Sequence, residues 1–248
     1  MSRLLPADIP YEKLIEMLYL DHSWLSDPYD INPTETKKGA NGFIGVIPQK
    51  RTLYIYFNPT ESWFNWVTNF NFRRAVVPYK GMDPNSKIRV HRGWVNLYSD
   101  VRVRDAVHKY ILDHDKYKNI VVIGFSMGAA IATLCALDIQ FNFPEKNVSC
   151  YAFGSPKVGN IHFVESFNKR VPDHYMIWNG NDIVCRVPPT WTALFNWVVY
   201  QHVNNLIRIG RKPVLKVLGK EIFFNPISFA VDHLPSAYYL SLLRALTL

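Results

Sequence analysis

The chain has 248 residues, 48% hydrophobic and 15% aromatic, with no long polar low-complexity run. That composition supplies a buried core and excludes an intrinsically disordered chain, and the length suits one domain over residues 1–248. Lys and Arg number 28 against 20 Asp and Glu, a formal charge of +8, which favours anionic partners such as acidic membrane surfaces. The densest basic cluster, Arg208, Arg211, Lys212, Lys216 and Lys220, carries no nucleic-acid motif, so no nucleic-acid partner is expected.

The first eight residues, Met1 to Asp8, hold no apolar run long enough for a signal peptide, and no segment reaches the roughly 20 apolar residues of a membrane span. The expected location is therefore a reducing cell interior, the cytoplasm. A leader trimmed from the sequence would reverse that and make Asn147-Val148-Ser149 a glycosylation acceptor. Cys135, Cys150 and Cys185 have no metal-like spacing and leave one over in any disulfide scheme, so free thiols are expected, with no metal and no organic cofactor.

In chain order, Leu14, Ile15, Leu18 and Tyr19 follow helical spacing and predict a helix over Tyr11 to Leu20. Gly42 to Ile47 and Leu53 to Phe57 flank the turn-like Pro48-Gln49-Lys50-Arg51 and read as an antiparallel hairpin. Arg92 to Asp113 reads as helical. Asn119 to Gly124 is a short strand apolar on both faces, as in a covered parallel sheet. Ser126 to Leu137 reads as a helix, Val148 to Phe153 as a strand, Ile161 to Lys169 as a helix and His174 to Trp178 as a strand. This βαβαβ alternation marks an α/β sheet with right-handed crossovers. A β-rich run from Val198 to Ile209 and a helix from Leu234 to Leu246 complete the chain.

Gly124-Phe125-Ser126-Met127-Gly128 falls between a buried strand and a small-residue helix. In that setting a G-x-S-x-G serine sits on a tight turn that exposes its hydroxyl, and the amide of Met127 can point at an oxyanion. A serine hydroxyl needs a general base, and the base an orienting carboxylate. On sheets of this type the order is serine, acid, histidine. Among the later acids, Asp182 follows the strand His174 to Trp178 through Asn179-Gly180-Asn181 and so lies at the carboxyl end of the sheet. Asp173 precedes the same strand, Asp138 belongs to a helix, and Asp232 adjoins the favoured histidine, where it suits orienting the loop. Only His202 and His233 follow Asp182. His202 lies in the apolar stretch Val199 to Val203, which suits a structural role, whereas His233 opens the last helix from a loop. The expected triad is Ser126, Asp182 and His233.

Beyond the elbow, four blocks stand in order: His91-Arg92-Gly93-Trp94, Tyr151 to Asn160 (YAFGSPKVGN), Asn181 to Pro189 (NDIVCRVPP), and Asp232-His233-Leu234. With them the sequence resembles the class 3 lipases, the fungal-type triacylglycerol lipases within the α/β-hydrolases, from about residue 40 onward. The resemblance implies an α/β-hydrolase fold, a mostly parallel central sheet flanked by helices with an N-terminal antiparallel hairpin, and a serine esterase that hydrolyses acylglycerols through an acyl-enzyme. It places the acid at Asp182 and the base at His233. It also implies a second oxyanion donor at Thr60, in Asn58-Pro59-Thr60, where relatives usually carry Arg-Gly-Thr or Arg-Gly-Ser. A lid is implied over about residues 61–74. There Trp63, Trp66, Val67 and Phe70 share a helical face, which reads as a lid opening at a lipid surface, with an ordinary helix buried on the core as the alternative. Trp191 lies in a second apolar loop, suited to an acyl-chain groove or to packing. Phe125 stands where relatives commonly have His, and with Trp63, Trp66 and Trp191 it is assigned to substrate contact. The implied partners are a lipid ester and, peripherally, a lipid surface. A phospholipase or an acyltransferase would use the same serine, and a silent lipid-binding protein could keep the fold.

Overall fold

The structure, a computed structural model, describes residues 10–32, 40–59, 74–75, 87–188, 199–210, 215–217, 220–222 and 230–247. Thr60, Trp63, Trp66 and Trp191, and residues 61–73 of the expected lid, lie outside them. In chain order the elements are α1 (Tyr11–Leu18), β1 (Ser26–Ile31), β2 (Gly42–Ile47), β3 (Thr52–Phe57), β4 (Arg74–Ala75), β5 (Val90–His91), α2 (Arg92–Tyr98), α3 (Arg104–Asp113), β6 (Asn119–Phe125), α4 (Met127–Asn142), β7 (Asn147–Phe153), α5 (Ile161–Arg170), β8 (His174–Asn179), β9 (Leu206–Ile209), β10 (Leu215–Val217), β11 (Lys220–Ile222) and α6 (Pro235–Leu246).

Seven strands form the main sheet in the order β1-β2-β3-β6-β7-β8-β9. β1, β2 and β3 pair antiparallel, and every pairing from β3 to β9 is parallel. The expected hairpin is thus the inner part of a three-stranded meander. Helices cover both faces. α2, α3, α4 and α5 pack on one through a core containing Trp94, Val107, Ile131, Leu134 and Phe163. α1 and α6 pack on the other through Leu14, Met17, Tyr238 and Leu242. No described helix is long and apolar enough to cross a membrane.

The central strands read as continuous apolar runs because both faces are covered; in β6 every residue after Asn119 is buried. α4 lacks an amphipathic pattern for the same reason. It is buried without interruption from Gly128 to Ile139, and its small residues let it lie close against β3, β6 and β7. One charge breaks that apolar surface. Asp138, 1% exposed, accepts from Arg104 Nε and Nη2 (2.9 and 3.0 Å), Tyr98 Oη (2.8 Å) and Asn142 Nδ2 (2.9 Å) and bonds His108 Nε2 (2.7 Å). Burial alone would raise its pKa, but these bonds and the neighbouring cations hold it below the ordinary value. Asp138 ties α2, α3 and α4 together.

The parallel register lines up the strand ends that carry the site. Phe57 faces Gly124, Phe125 faces Phe153, Phe153 faces Ile177, and Asn179 faces Ile209. Loops leaving Phe57, Phe125, Phe153 and Asn179 therefore emerge along one edge. At that edge a side chain on Gly128 would place its Cβ 2.2 Å from the Phe57 carbonyl oxygen and 2.6 Å from that of Asn58. Gly128→Ala is expected to cost about 1–3 kcal/mol by overpacking, read as a lower urea midpoint at unchanged m-value.

Candidate functional site

Ser126 joins β6 to α4 at φ 57° and ψ −122°, a conformation that L-residues with a side chain avoid at a cost of about 1–3 kcal/mol. Its neighbours hold it there. The Ser126 amide donates to the Phe153 carbonyl (2.9 Å) and the Ala129 amide to the Ser126 carbonyl (3.1 Å). A Cβ on Gly124 would fall 2.2 Å from the Gly128 oxygen, so strand and helix meet too closely for a side chain at this position. Met127 supplies the first amide of α4, one of the amides that the helix itself leaves without an acceptor.

The structure brings the three expected residues together. His233 Nε2 lies 2.8 Å from Ser126 Oγ, and His233 Nδ1 lies 2.8 Å from Asp182 Oδ2. Ser126 is 1% exposed, Asp182 0% and His233 2%. With Nδ1–H donating to the carboxylate, Nε2 is left as the acceptor facing the serine hydroxyl. Asp182 begins just past β8. Its amide closes a turn onto the Asn179 carbonyl (3.0 Å) and its Oδ1 accepts from the Val184 amide (2.8 Å).

A further residue enters this group that the sequence reading did not single out. Tyr238, on the first turn of α6 and fully buried, donates from its hydroxyl to Asp182 Oδ2 at 2.6 Å. Burial and then the Asp182 charge push the Tyr238 pKa well above its ordinary value, so the hydroxyl keeps its proton. Burial pushes the Cys185 thiol up in the same way, with its sulfur 3.8 Å from the Tyr238 oxygen. Asp182, 0% exposed, thus accepts from the Val184 amide, His233 and Tyr238 among the described residues, as a buried carboxylate requires. The signal for Tyr238 was a tyrosine on the core face of the helix that follows the base.

The other expected residues fall as follows. Phe125, expected to contact substrate, is 3% exposed and packs behind His233, its ring centroid 5.2 Å from that of His233 and 5.3 Å from that of Tyr238. Asp173 accepts from Ser149 Oγ (2.5 Å) at the opposite edge of the sheet. Asp232, expected to suit orienting the loop, accepts at Oδ2 from the Asn181 amide (2.7 Å). His202 donates to the Cys185 carbonyl (2.7 Å). Among the described residues, no three His, Cys, Asp or Glu side chains gather to hold a metal ion.

Residues 54–191, more than half of the chain, match the family "Lipase (class 3)". The chain belongs to the class 3 lipase family. A secreted mono- and diacylglycerol lipase of Fusarium solani is 29% identical over 157 residues, 62% of this chain and 44% of its own length. A chloroplastic phospholipase A(1) of Arabidopsis thaliana is 29% identical over 177 residues, 62% of this chain and 39% of its own. The solved triacylglyceride lipase of Rhizomucor miehei superposes with a TM-score of 0.56 at 26% identity, over 69% of this chain and 60% of that one. The fold is accordingly that of the α/β-hydrolases. The chain spans less than half the length of these two curated relatives.

The comparison corrects the cytoplasmic expectation. The Fusarium relative is a secreted protein and the Arabidopsis relative a chloroplastic one. An absent apolar run at residues 1–8 carries no information about compartment. The three cysteines are free and buried, and they do not bear on it either, because a core of this size needs no disulfide.

Two measurements test the polar interior. Tyr238→Phe keeps the ring but leaves Asp182 one donor short; a loss of about 1–3 kcal/mol is expected by urea denaturation. Burial pushes His202 down to about 4; the Lys157 and Arg208 charges add to this, and the bond to the Cys185 carbonyl opposes it. The unfolded chain takes up that proton near 6.5 and the folded chain only near 4, so unfolding binds the proton in between and stability falls as pH drops through this window. The thermal midpoint is expected to fall less steeply from pH 6.5 to 4 in His202→Gln than in the parent.

Proposed function

We propose that this chain is a serine hydrolase of acylglycerol esters, with Ser126 as nucleophile, His233 as general base and Asp182 as the residue that orients and charge-balances the base. The observation that carries the reading is the unbroken hydrogen-bonded run Ser126 Oγ, His233, Asp182 at the carboxyl edge of the sheet. His233 Nε2 takes the hydroxyl proton as Oγ attacks the ester carbonyl, and the imidazolium that forms is stabilised by Asp182. The oxyanion is assigned to the Met127 amide and the Thr60 amide. The first lies beside Ser126, and the chain toward the second leaves β3 where the Asn58 carbonyl abuts Gly128. Collapse breaks the bond to the leaving alcohol, which receives its proton from His233. Water, deprotonated by the same imidazole, then releases the fatty acid and restores the serine.

Ser126 is buried, which supports a reading in which a covering segment withdraws to admit the ester. Residues 61–74 are assigned to that role within a single domain of 248 residues, with Trp63, Trp66 and Trp191 meeting the acyl chain and a lipid surface outside. The charge of +8 and the similarity to a phospholipase A(1) favour a second reading, cleavage of anionic phospholipids. Hydrolysis of short- and long-chain acyl esters should fall by about 10³-fold or more in Ser126→Ala. Equal rates in parent and variant would end the mechanism. Neutral glyceride emulsions and anionic phospholipid vesicles, compared from low to high salt, separate the two substrates, because charge-driven adsorption weakens as salt rises.

Secretion, the route of the Fusarium relative, is proposed for this chain as well. Asn147, exposed at the start of β7, lies on the rim opposite Ser126. Secretion from a eukaryotic host should leave a glycan there, read by peptide mass spectrometry before and after enzymatic deglycosylation. An unmodified Asn147 in the secreted protein would contradict that assignment.

A further inference from the structure

We propose that Asp232 latches the loop carrying the base to the loop carrying the acid and thereby sets the alignment of His233 on Asp182; the inference rests on the hydrolase reading above. His233 sits on the short segment that leads into α6, its ring beside that of Phe125. One turn closes through the His233 amide onto the Ala230 carbonyl (3.2 Å) and the Leu234 amide onto the Val231 carbonyl (3.0 Å). The flanking side chains face solvent, Val231 48% and Leu234 44% exposed. Apolar packing therefore does not anchor the residues on either side of the Asp232-His233 pair.

Asp232 makes the anchor. Its Oδ2 accepts from the Asn181 amide (2.7 Å), and its carbonyl oxygen accepts from Asn179 Nδ2 (2.9 Å). Asn179 ends β8 and Asn181 immediately precedes Asp182. The residue before the base is thus bonded twice to the turn that presents the acid, in parallel with the single bond from His233 to Asp182. That turn is rigid on its own side. The Gly180 amide donates to the Ile209 carbonyl (2.9 Å), and Arg186 Nη2 donates to Asn181 Oδ1 (3.3 Å).

A carboxylate is a costly choice here. Burial raises the Asp232 pKa, the Asn181 amide works against that shift, and the Asp182 charge adds to it. What the charge supplies is strength, since a hydrogen bond to an ionised acceptor is roughly twice as strong as a neutral one. A direct role in proton transfer does not fit, because His233 Nδ1 is already given to Asp182. Asp232 acts through His233 and is a positioning residue.

The test uses the full chain with Asp232→Ala, Asp232→Asn and Asn179→Ala, assayed on a soluble short-chain ester and by proton NMR of the low-field His233 Nδ1–H resonance. Asp232→Ala should lower kcat by about 10- to 100-fold with KM held within about twofold, and should broaden or abolish the low-field resonance. Asp232→Asn, whose neutral amide oxygen still accepts from Asn181 but more weakly, should recover part of the loss. Unchanged kcat in Asp232→Ala, or equal damage in the Asn and Ala variants, overturns the latch. If the alanine variant does not fold, Asn179→Ala decides: a several-fold fall in kcat with a broadened resonance supports the latch, and parental values of both refute it. If the parent hydrolyses no ester, the hydrolase reading fails by itself and the resonance alone judges the latch.

Discussion

A buried carboxylate has to replace the water it gives up with hydrogen-bond donors, and the site is organised around supplying them at Asp182. Three donors reach it from three parts of the chain: the Val184 amide one turn on, the Tyr238 hydroxyl from α6, and the His233 imidazole from the loop before α6. Each arrives because another element is already in place. β8 must end where Asn179 can close its turn, α6 must lie on the sheet through Tyr238 and Leu242, and β7 must stop at Phe153 so that the Ser126 amide finds its carbonyl. Burying this carboxylate therefore constrains the ends of two strands and the docking of one helix.

The strain at Ser126 is the counterpart of this arrangement. Its backbone is held in an unfavourable region by packing, with Gly124 and Gly128 letting the strand, the helix and the Phe57–Asn58 backbone approach to distances that a side chain would forbid. The two halves of the site are stabilised by different forces. The serine half depends on shape and on the buried surface of α4, and the Asp182–His233 half depends on hydrogen bonds in a medium of low dielectric. In the proposed mechanism the proton passes between them across the 2.8 Å contact of Oγ and Nε2.

Much of this was legible in the sequence because the constraints are local or polar in order. The elbow needs glycines at fixed offsets, central strands need unbroken apolar runs, and strand polarity alone separates Asp182 from Asp173. Other features left no such trace. β1 reads Ser-Asp-Pro-Tyr-Asp-Ile and is exposed except at Ile31. An edge strand has no apolar alternation to display, and Pro and Asp are tolerated there. Pairing with β2 and the bonds of Asp27 to Tyr110 and His114 define it instead. The expected long helix from Arg92 to Asp113 is two helices, because Asp100 turns its carboxylate to the Arg102 amide and guanidinium and interrupts the run. The β-rich stretch from Val198 shortens to Leu206–Ile209, with Gln201 making only an isolated bridge to Gly159. Tyr238 was hidden because a tyrosine on a helix's core face reads as packing until its hydroxyl partner is known.

α4 is buried from Gly128 to Ile139 and so has no face that water would favour. A helix of that kind gains little by forming alone, since nucleation is unfavourable and its apolar surface would stay wet. It becomes stable only against β3, β6 and β7, whose parallel pairings join residues as far apart in sequence as Thr52 and Asn119. Contacts of that range close late and slowly. The turn at Ser126 therefore depends on pairings between distant parts of the chain and not on the β6–α4 segment alone.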